Sequence, residues 1–459
     1  MKLLCIFLLL GFYSFSQSPY GDWYANLKAA NLPLVFHIQK DGKKPVITVD
    51  SPKQKAFDIP AEILLSKGNQ IKVVMKNIGV VYEGTYYDDS ISGVFVQGAM
   101  QEDMTFYPEK QKEKVLKRPQ EPQEPFAYDI EEIKFFNAVD SIYLAGTFTK
   151  PRTDKPFPAV VLVSGSGPQN RDEEIMGHKP FWVLADYLTT LGYGVLRYDD
   201  RGTHQSEGKF GGSTTFDFAN DAEAAVHYLM KHEEVNPDQI VVMGHSEGGM
   251  IANILGARIE HLSGIVSLAG TSIRGDSILN LQTALISKTQ TDNEVELTIS
   301  KQFNEEIFKT IIASENIKQM KKELAKISKK WMKVMVKKKL IDKKDKKGFT
   351  ATLIKQMCGI WMYEFIKYSP ADDIKKIGCH VLVLIGSKDI QVPSKENIKG
   401  YQNLLPKNEK TQIITEIKGL NHLFQKCKTC TISEYAELEE TFSMDALEEI
   451  RDFLRVIWK

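Results

Sequence analysis

Two rhythms of apolar and polar positions divide this chain. From Gly21 to about Tyr107, short β-branched and aromatic runs alternate with turn residues. The runs lie at 34–38, before Asp41-Gly42, at 45–49, before Ser51-Pro52, and then at 71–75, 80–82 and 94–96, with Gly84, Gly93 and Gly98 interspersed. No helical period of any length follows Leu32 in this region, so residues 20–108 are predicted to form a small all-β domain, a barrel or a sandwich. Residues 109–127 are rich in Pro, Gln, Glu and Lys, lack apolar periodicity and read as a linker. From 128 to 459 the rhythm becomes strand–helix alternation. A hairpin at 133–136 and 143–148 leads to a buried strand at 159–163, a helix at 181–191, a strand at 194–198, a helix at 216–232 and a strand at 240–243. A helix follows, then strands at 264–268, 381–385 and 412–417 and a closing helix at 444–457. This alternation predicts an α/β fold, a mostly parallel sheet with helices on both faces. Residues 271–368 break it. They offer no strand candidate, and Ile317, Met320, Leu324, Ile327, Trp331 and Val334 recur at spacings of three and four, so a helical cap inserted between two core strands is expected.

Charge and leader-like features refine this picture. A chain of 459 residues holds two or three domains, and its 59 basic and 59 acidic residues balance. That balance argues against a nucleic-acid partner, which needs a basic face. The local exception is the cap, with 14 lysines against three acids between positions 318 and 347. A solvated outer face accounts for them, and contact with an anionic surface is the functional alternative. At the N-terminus, Lys2, the apolar run 3–15 and Ser14-Phe15-Ser16 have the layout of a secretory signal peptide over 1–16, so an exported protein, periplasmic or extracellular, is expected. No later segment is long and apolar enough for a transmembrane helix. With Cys5 inside the leader, Cys358, Cys379, Cys427 and Cys430 are too few for a disulfide framework. Cys427 and Cys430 suit a local bridge in an oxidising compartment, and no metal-ligand spacing accompanies them.

The chemistry is concentrated at Gly244-His245-Ser246-Glu247-Gly248-Gly249, between an apolar run and a helix-like segment. Strand, Gly-x-Ser-x-Gly, helix is the context of a nucleophile elbow, with Ser246 pushed out at the carboxyl edge of the sheet. A serine hydroxyl needs an imidazole to accept its proton and an acid to orient that imidazole. In chain order Ser, acid, His, only His261, His380 and His422 follow Ser246. His261 is too close along the chain and His380 enters a strand at the wrong edge, which leaves His422. Asp389 follows the strand at 381–385 on the correct edge, whereas Asp372 and Asp373 precede it and read as a helix start. The oxyanion hole is assigned to the backbone N–H groups of Glu247 and of Ser166, in the loop Ser164-Gly-Ser-Gly-Pro168. Asp200 and Arg201 read as a structural ion pair. Arg171, Asp172 and His178 would shape the acyl pocket or pin the oxyanion loop, and His245 reads as packing.

These motifs resemble a known family. Ser164-Gly-Ser-Gly-Pro-Gln-Asn-Arg-Asp172, Leu196-Arg-Tyr-Asp-Asp-Arg-Gly202, Gly244-His-Ser-Glu-Gly-Gly249 and Asn421-His-Leu-Phe-Gln425 are similar to bacterial α/β-hydrolases of the EstD-like carboxylesterase type. That type is also described as serine-aminopeptidase-like and related to acyl-CoA thioester hydrolases. The resemblance covers about residues 130–459, and the β domain before the linker is similar to those that precede such hydrolases in secreted proteins. It implies a Ser246/Asp389/His422 carboxylesterase acting on short- to medium-chain acyl esters without metal or cofactor, with a peptide or an acyl thioester as the alternative substrate. One departure is His204, where the family usually has glycine.

Overall fold

The computed structural model describes residues 19–109, except 28–31, 43, 55, 67–68, 88 and 98–99, and residues 117–459, except 342–345. The leader-like segment 1–16 and the first part of the linker lie outside the described residues. The chain divides into two compact units, Met1–Val115 and Leu116–Lys459.

In the first unit, β1 (Gly21–Leu27), β2 (Leu32–Asp41), β3 (Lys44–Ser51), β4 (Ala56–Ser66), β5 (Gln70–Met75), β6 (Val80–Tyr86), β7 (Ile91–Gln97) and β8 (Met100–Phe106) run in sequential order, each antiparallel to the next. Tyr24 and Tyr107 exchange backbone hydrogen bonds of 2.8 and 2.9 Å, which bring β1 against the end of β8. The result is a near-closed up-and-down barrel. Its interior is side chains: Phe36 stacks on Phe106 at 3.9 Å, and Tyr82 meets both rings edge-on. The buried Tyr82 hydroxyl donates to the carbonyls of Ile91 and Met104, at 2.8 and 3.0 Å. This satisfies the polar atom that burial would otherwise orphan.

The second unit carries the other sheet. A hairpin of β9 (Asp129–Asn137) and β10 (Ile142–Lys150) leads to β11 (Phe157–Val163), α1 (Pro180–Thr190), β12 (Gly194–Tyr198), α2 (Thr215–Met230), β13 (Val235–His245), α3 (Glu247–Arg258) and β14 (Gly264–Leu268). The cap follows as α4 (Gly275–Gln290), α5 (Glu294–Ala313), α6 (Ile317–Lys337), α7 (Lys346–Met357) and α8 (Ile360–Lys367). The short α9 (Ala371–Ile374), β15 (His380–Gly386), α10 (Ser394–Leu404), β16 (Gln412–Ile417) and α11 (Met444–Ile457) complete it. Strand order is β16-β15-β14-β13-β11-β12-β10-β9. All pairs from β12 to β16 are parallel, and β10 is antiparallel to both its neighbours. Helices α2, α3 and α10 cover one face and α1 and α11 the other. This is the α/β-hydrolase fold. The central strands are buried on both faces, so they read as unbroken apolar runs.

The cap has its own core, in which Phe303 and Ile307 of α5 meet Leu324 and Trp331 of α6. The buried face of α6 is Met320, Leu324, Trp331, Met332 and Met335, while Val334, expected in that stripe, stays exposed. A stripe drawn at fixed three-four spacing drifts off the buried face after five turns. Of the cap lysines, Lys326 pairs with Glu323 and Lys330 with Glu306. Arg118 and Gln120, within the stretch read as linker, hold the hydrolase unit. Arg118 donates to the carbonyls of Gly177, Ala436 and Leu438, and Gln120 binds the backbone of Thr441 and Phe442.

Candidate active site

The site is built from the loops that leave the carboxyl ends of β11, β13, β15 and β16. Strand β13 ends at His245 and α3 begins at Glu247, so the chain reverses on one residue. Ser246 sits there at φ 54°, ψ −114°, and its amide donates to the Leu268 carbonyl at 2.8 Å. Such a backbone is sparsely populated for an L-residue and persists only when its surroundings enforce it. Here they do so by contact: a Cβ on Gly244 would lie 1.9 Å from the Gly248 carbonyl oxygen, and one on Gly248 would lie 2.1 Å from that of Val163. Glycine at both positions is therefore a steric requirement of the turn.

His422 follows β16 in a turn fixed by Asn421. The buried Asn421 side chain accepts from the amides of Leu423 and Gln425, at 3.0 and 2.9 Å. Asp389 follows β15 and is buried. Its Oδ1 accepts the Gln391 and Val392 amides at 2.7 and 2.8 Å, and its Oδ2 lies 2.7 Å from His422 Nδ1. With one oxygen held by two backbone donors, the carboxylate cannot rotate away from the imidazole. Ser246 and His422 both line a single cavity of about 310 Å3, together with Gly165, Ser166 and Glu247. Its remaining wall is mostly apolar and includes Met176, Met250, Ile278, Trp361 and Phe365. His261, His380, Asp372 and Asp373 take no part in this cavity.

Buried carboxylates hold the loop after β11. Asp200 accepts the Ser164 hydroxyl at 2.7 Å and the Gln169 amide at 2.9 Å, so it spans both ends of the loop. Burial raises its carboxyl to about 7. Glu173 accepts the Gly165 amide at 2.7 Å. Glu247 accepts the Ser166 hydroxyl at 2.8 Å, the Thr215 hydroxyl at 2.5 Å and the Trp361 indole N–H at 2.7 Å. Burial pushes its carboxyl above the usual range despite those donors. Among the described residues, no hydrogen bond uses the Ser166 or Glu247 amide, so both remain free for a ligand oxygen.

Two readings of neighbouring residues change. Arg201 pairs with Asp221 at 2.6 Å and Asp140 at 2.8 Å, not with Asp200, which holds the loop after β11. His245, read as packing, has its Nδ1 2.9 Å from the Glu173 carboxyl. No sequence signal marked Glu173, because its partner lies 72 positions away. Arg171 grips Asp199, Asp172 pairs with Arg197, and His178 reaches the Tyr435 carbonyl at 2.8 Å and Thr441 at 3.0 Å, which pins the segment after His422. Cys427 and Cys430 form a disulfide in that segment, and Cys358 and Cys379 are free. Glu131, His232 and Glu234 come within 4.8 Å of one another, but the Lys150 ammonium lies 2.9 and 2.5 Å from the two carboxylates and already engages both.

Residues 179–424 match the hydrolase family described as serine aminopeptidase, family S33. Esterase EstD of Thermotoga maritima is 31% identical over 157 residues, 34% of this chain and 37% of that protein. A Salmonella typhi protein without assigned activity, YfhR, is 26% identical over 160 residues, 35% of this chain and 51% of the relative. The chain thus spans 37% and 51% of the length of these two curated relatives. A Pyrococcus furiosus esterase of known structure superposes with a TM-score of 0.44 at 13% identity, over 76% of this chain and 100% of that one.

Proposed function

The chain belongs to the serine aminopeptidase S33 family of hydrolases, and from that premise we propose that it is an exported serine carboxylesterase for short- to medium-chain acyl esters. Ser246 Oγ attacks the ester carbonyl while His422 Nε2 takes its proton. The N–H groups of Ser166 and Glu247 receive the developing oxyanion. His422 then returns the proton to the departing alcohol, leaving an acyl-enzyme on Ser246. A water molecule, deprotonated by the same imidazole, attacks the acyl carbon and releases the acid. Asp389 keeps the imidazole in the tautomer with its proton on Nδ1 and stabilises the imidazolium. The chemistry needs no metal or cofactor. The observation that carries this reading is the 2.7 Å bond from Asp389 to His422 beside a strained Ser246 on one cavity wall.

The cavity also supports ester over peptide. An exopeptidase must receive a free α-ammonium, and a carboxylate is its usual partner. The carboxylates lining this cavity, Glu173 and Glu247, are engaged by His245 and Gly165 and by Ser166, Thr215 and Trp361 respectively. A volume of about 310 Å3 lies at the small end for small-molecule sites, which favours a short or medium acyl chain. The leader-like pattern of residues 1–16 supports export, and no described helix is long and apolar enough to cross a membrane.

A panel of p-nitrophenyl esters, acyl thioesters and aminoacyl anilides tests the reading. Esters should give the highest kcat/KM, and Ser246→Ala should lower it by several orders of magnitude. Faster turnover of aminoacyl anilides would replace the esterase reading with an aminopeptidase one.

A further inference from the structure

Behind the nucleophile lies a second acid–histidine pair that the mechanism above does not use. His245 is 5% exposed and Glu173 1%. His245 Nδ1 lies 2.9 Å from Glu173 Oε1, and its Nε2 lies 2.9 Å from the carbonyl oxygen of His422. A carboxylate and a carbonyl are both acceptors, so both bonds form only when each ring nitrogen carries a proton. A ring with two N–H groups is a cation. We propose that His245 is a buried imidazolium held by Glu173, and that it is a positioning residue of the site: it fixes the backbone that carries His422 and keeps a positive charge beside the reacting groups.

The geometry gives this pair reach. The same Glu173 oxygen accepts the Gly165 amide at 2.7 Å, so one carboxylate ties the oxyanion loop to the elbow, and through His245 to the loop of the base. The His245 and His422 rings stand 4.8 Å apart between centroids. Glu173 adopts φ 50°, a left-handed conformation that a residue other than glycine holds only under constraint. Among the described residues, the titratable groups facing His245 are Glu173 from the loop after β11, Asp389 from that after β15 and His422 from that after β16, with the Phe424 ring beside them. Burial works against the charge, but the Glu173 carboxylate and its hydrogen bond outweigh it and hold the imidazole above its ordinary value. A fixed cation here favours negative charge on the reacting carbonyl oxygen.

The role in turnover rests on the reading of Ser246 and His422 given above, but the protonation state does not, and the test separates the two. In the intact chain labelled with 15N-histidine, the signals lost in His245→Gln identify that ring. It should show two protonated nitrogens with imidazolium shifts from pH 6 to 9. A single protonated nitrogen in that range would overturn the proposal whatever the enzyme hydrolyses. In the functional arm, Glu173→Gln keeps the side chain's shape and an acceptor for the Gly165 amide, and should give a folded protein with a lowered melting temperature. Its kcat/KM for a short ester should drop roughly ten- to a hundredfold, mainly through kcat. The acidic limb of its pH profile should move to higher pH, because the neighbouring cation has been lost. His245→Gln, which keeps a donor for the His422 carbonyl but no charge, should shift the limb in the same direction and further, since Glu173 is then unpaired. A folded Glu173→Gln variant with an unmoved limb would contradict the role in turnover. Where Glu173→Gln fails to fold, the ring-nitrogen measurement on the native chain decides; where His245→Gln does, the imidazolium signals lost in Glu173→Gln identify the ring instead.

Discussion

At the residue scale, the parts of the site that were legible in the sequence are those whose geometry is local. Ser246 could be found because the steric demands of its turn fall on Gly244 and Gly248, two positions away on either side. His422 and Asp389 followed from chain order and strand edges. Glu173 carries no signal in the sequence and His245 reads there as packing, because burial and a contact 72 positions long define the pair. His204 marks a partial case: it stands where the family usually has glycine, and its φ of 46° lies in the left-handed region that glycine adopts freely. Histidine is among the side chains found there more often than most. His178 supplies a pH prediction. Burial, reinforced by the Arg118 cation, pushes it down to about 4, whereas an unfolded histidine binds its proton near 6.5. Between those values the unfolded chain holds more protons, so stability is full above pH 6.5 and is lost as pH falls towards 4. Asp200, raised to about 7, works in the opposite direction, so the difference between variant and parent isolates His178. His178→Asn should remove an acid-dependent loss on the order of 3 kcal/mol at most, read from urea unfolding at pH 7 and pH 4.5. An unchanged difference between the two pH values would refute the assignment.

At the element scale, periodicity located the long helices and the central strands and missed three strands of the β domain. Strands β1, β4 and β8 carry charged or proline residues between inward-facing ones: in β8, Met104 and Phe106 point into the barrel while Asp103 faces outwards. Such strands look polar in sequence because solvent covers one face. The cap shows an element acting on the site. Helix α8 brings the Trp361 N–H to within 2.7 Å of the Glu247 carboxylate, joining the cap to the first residue of α3. Trp361→Phe keeps an aromatic ring but leaves a buried carboxylate short of one of its three side-chain donors. It should lower stability by about 1–3 kcal/mol, seen as a reduced urea midpoint at constant slope. A change below about 0.5 kcal/mol would mean that solvent replaces the indole.

At the scale of the whole molecule, the switch from antiparallel barrel to parallel sheet was readable because the two demand different patterns, half-buried alternation and fully buried runs. Placing the active groups required one further rule, that sites lie beyond the carboxyl ends of parallel strands. That rule draws Ser246, Asp389 and His422, 176 positions apart at their extremes (422 − 246), to one edge. The account stands on their acting together. The most direct measurement is the rate and position of covalent modification by a fluorophosphonate, mapped by peptide mass spectrometry. The adduct should sit on Ser246, be absent from Ser246→Ala, and form several orders of magnitude more slowly in His422→Asn. An adduct on another residue, or labelling of His422→Asn at the parent rate, would contradict it.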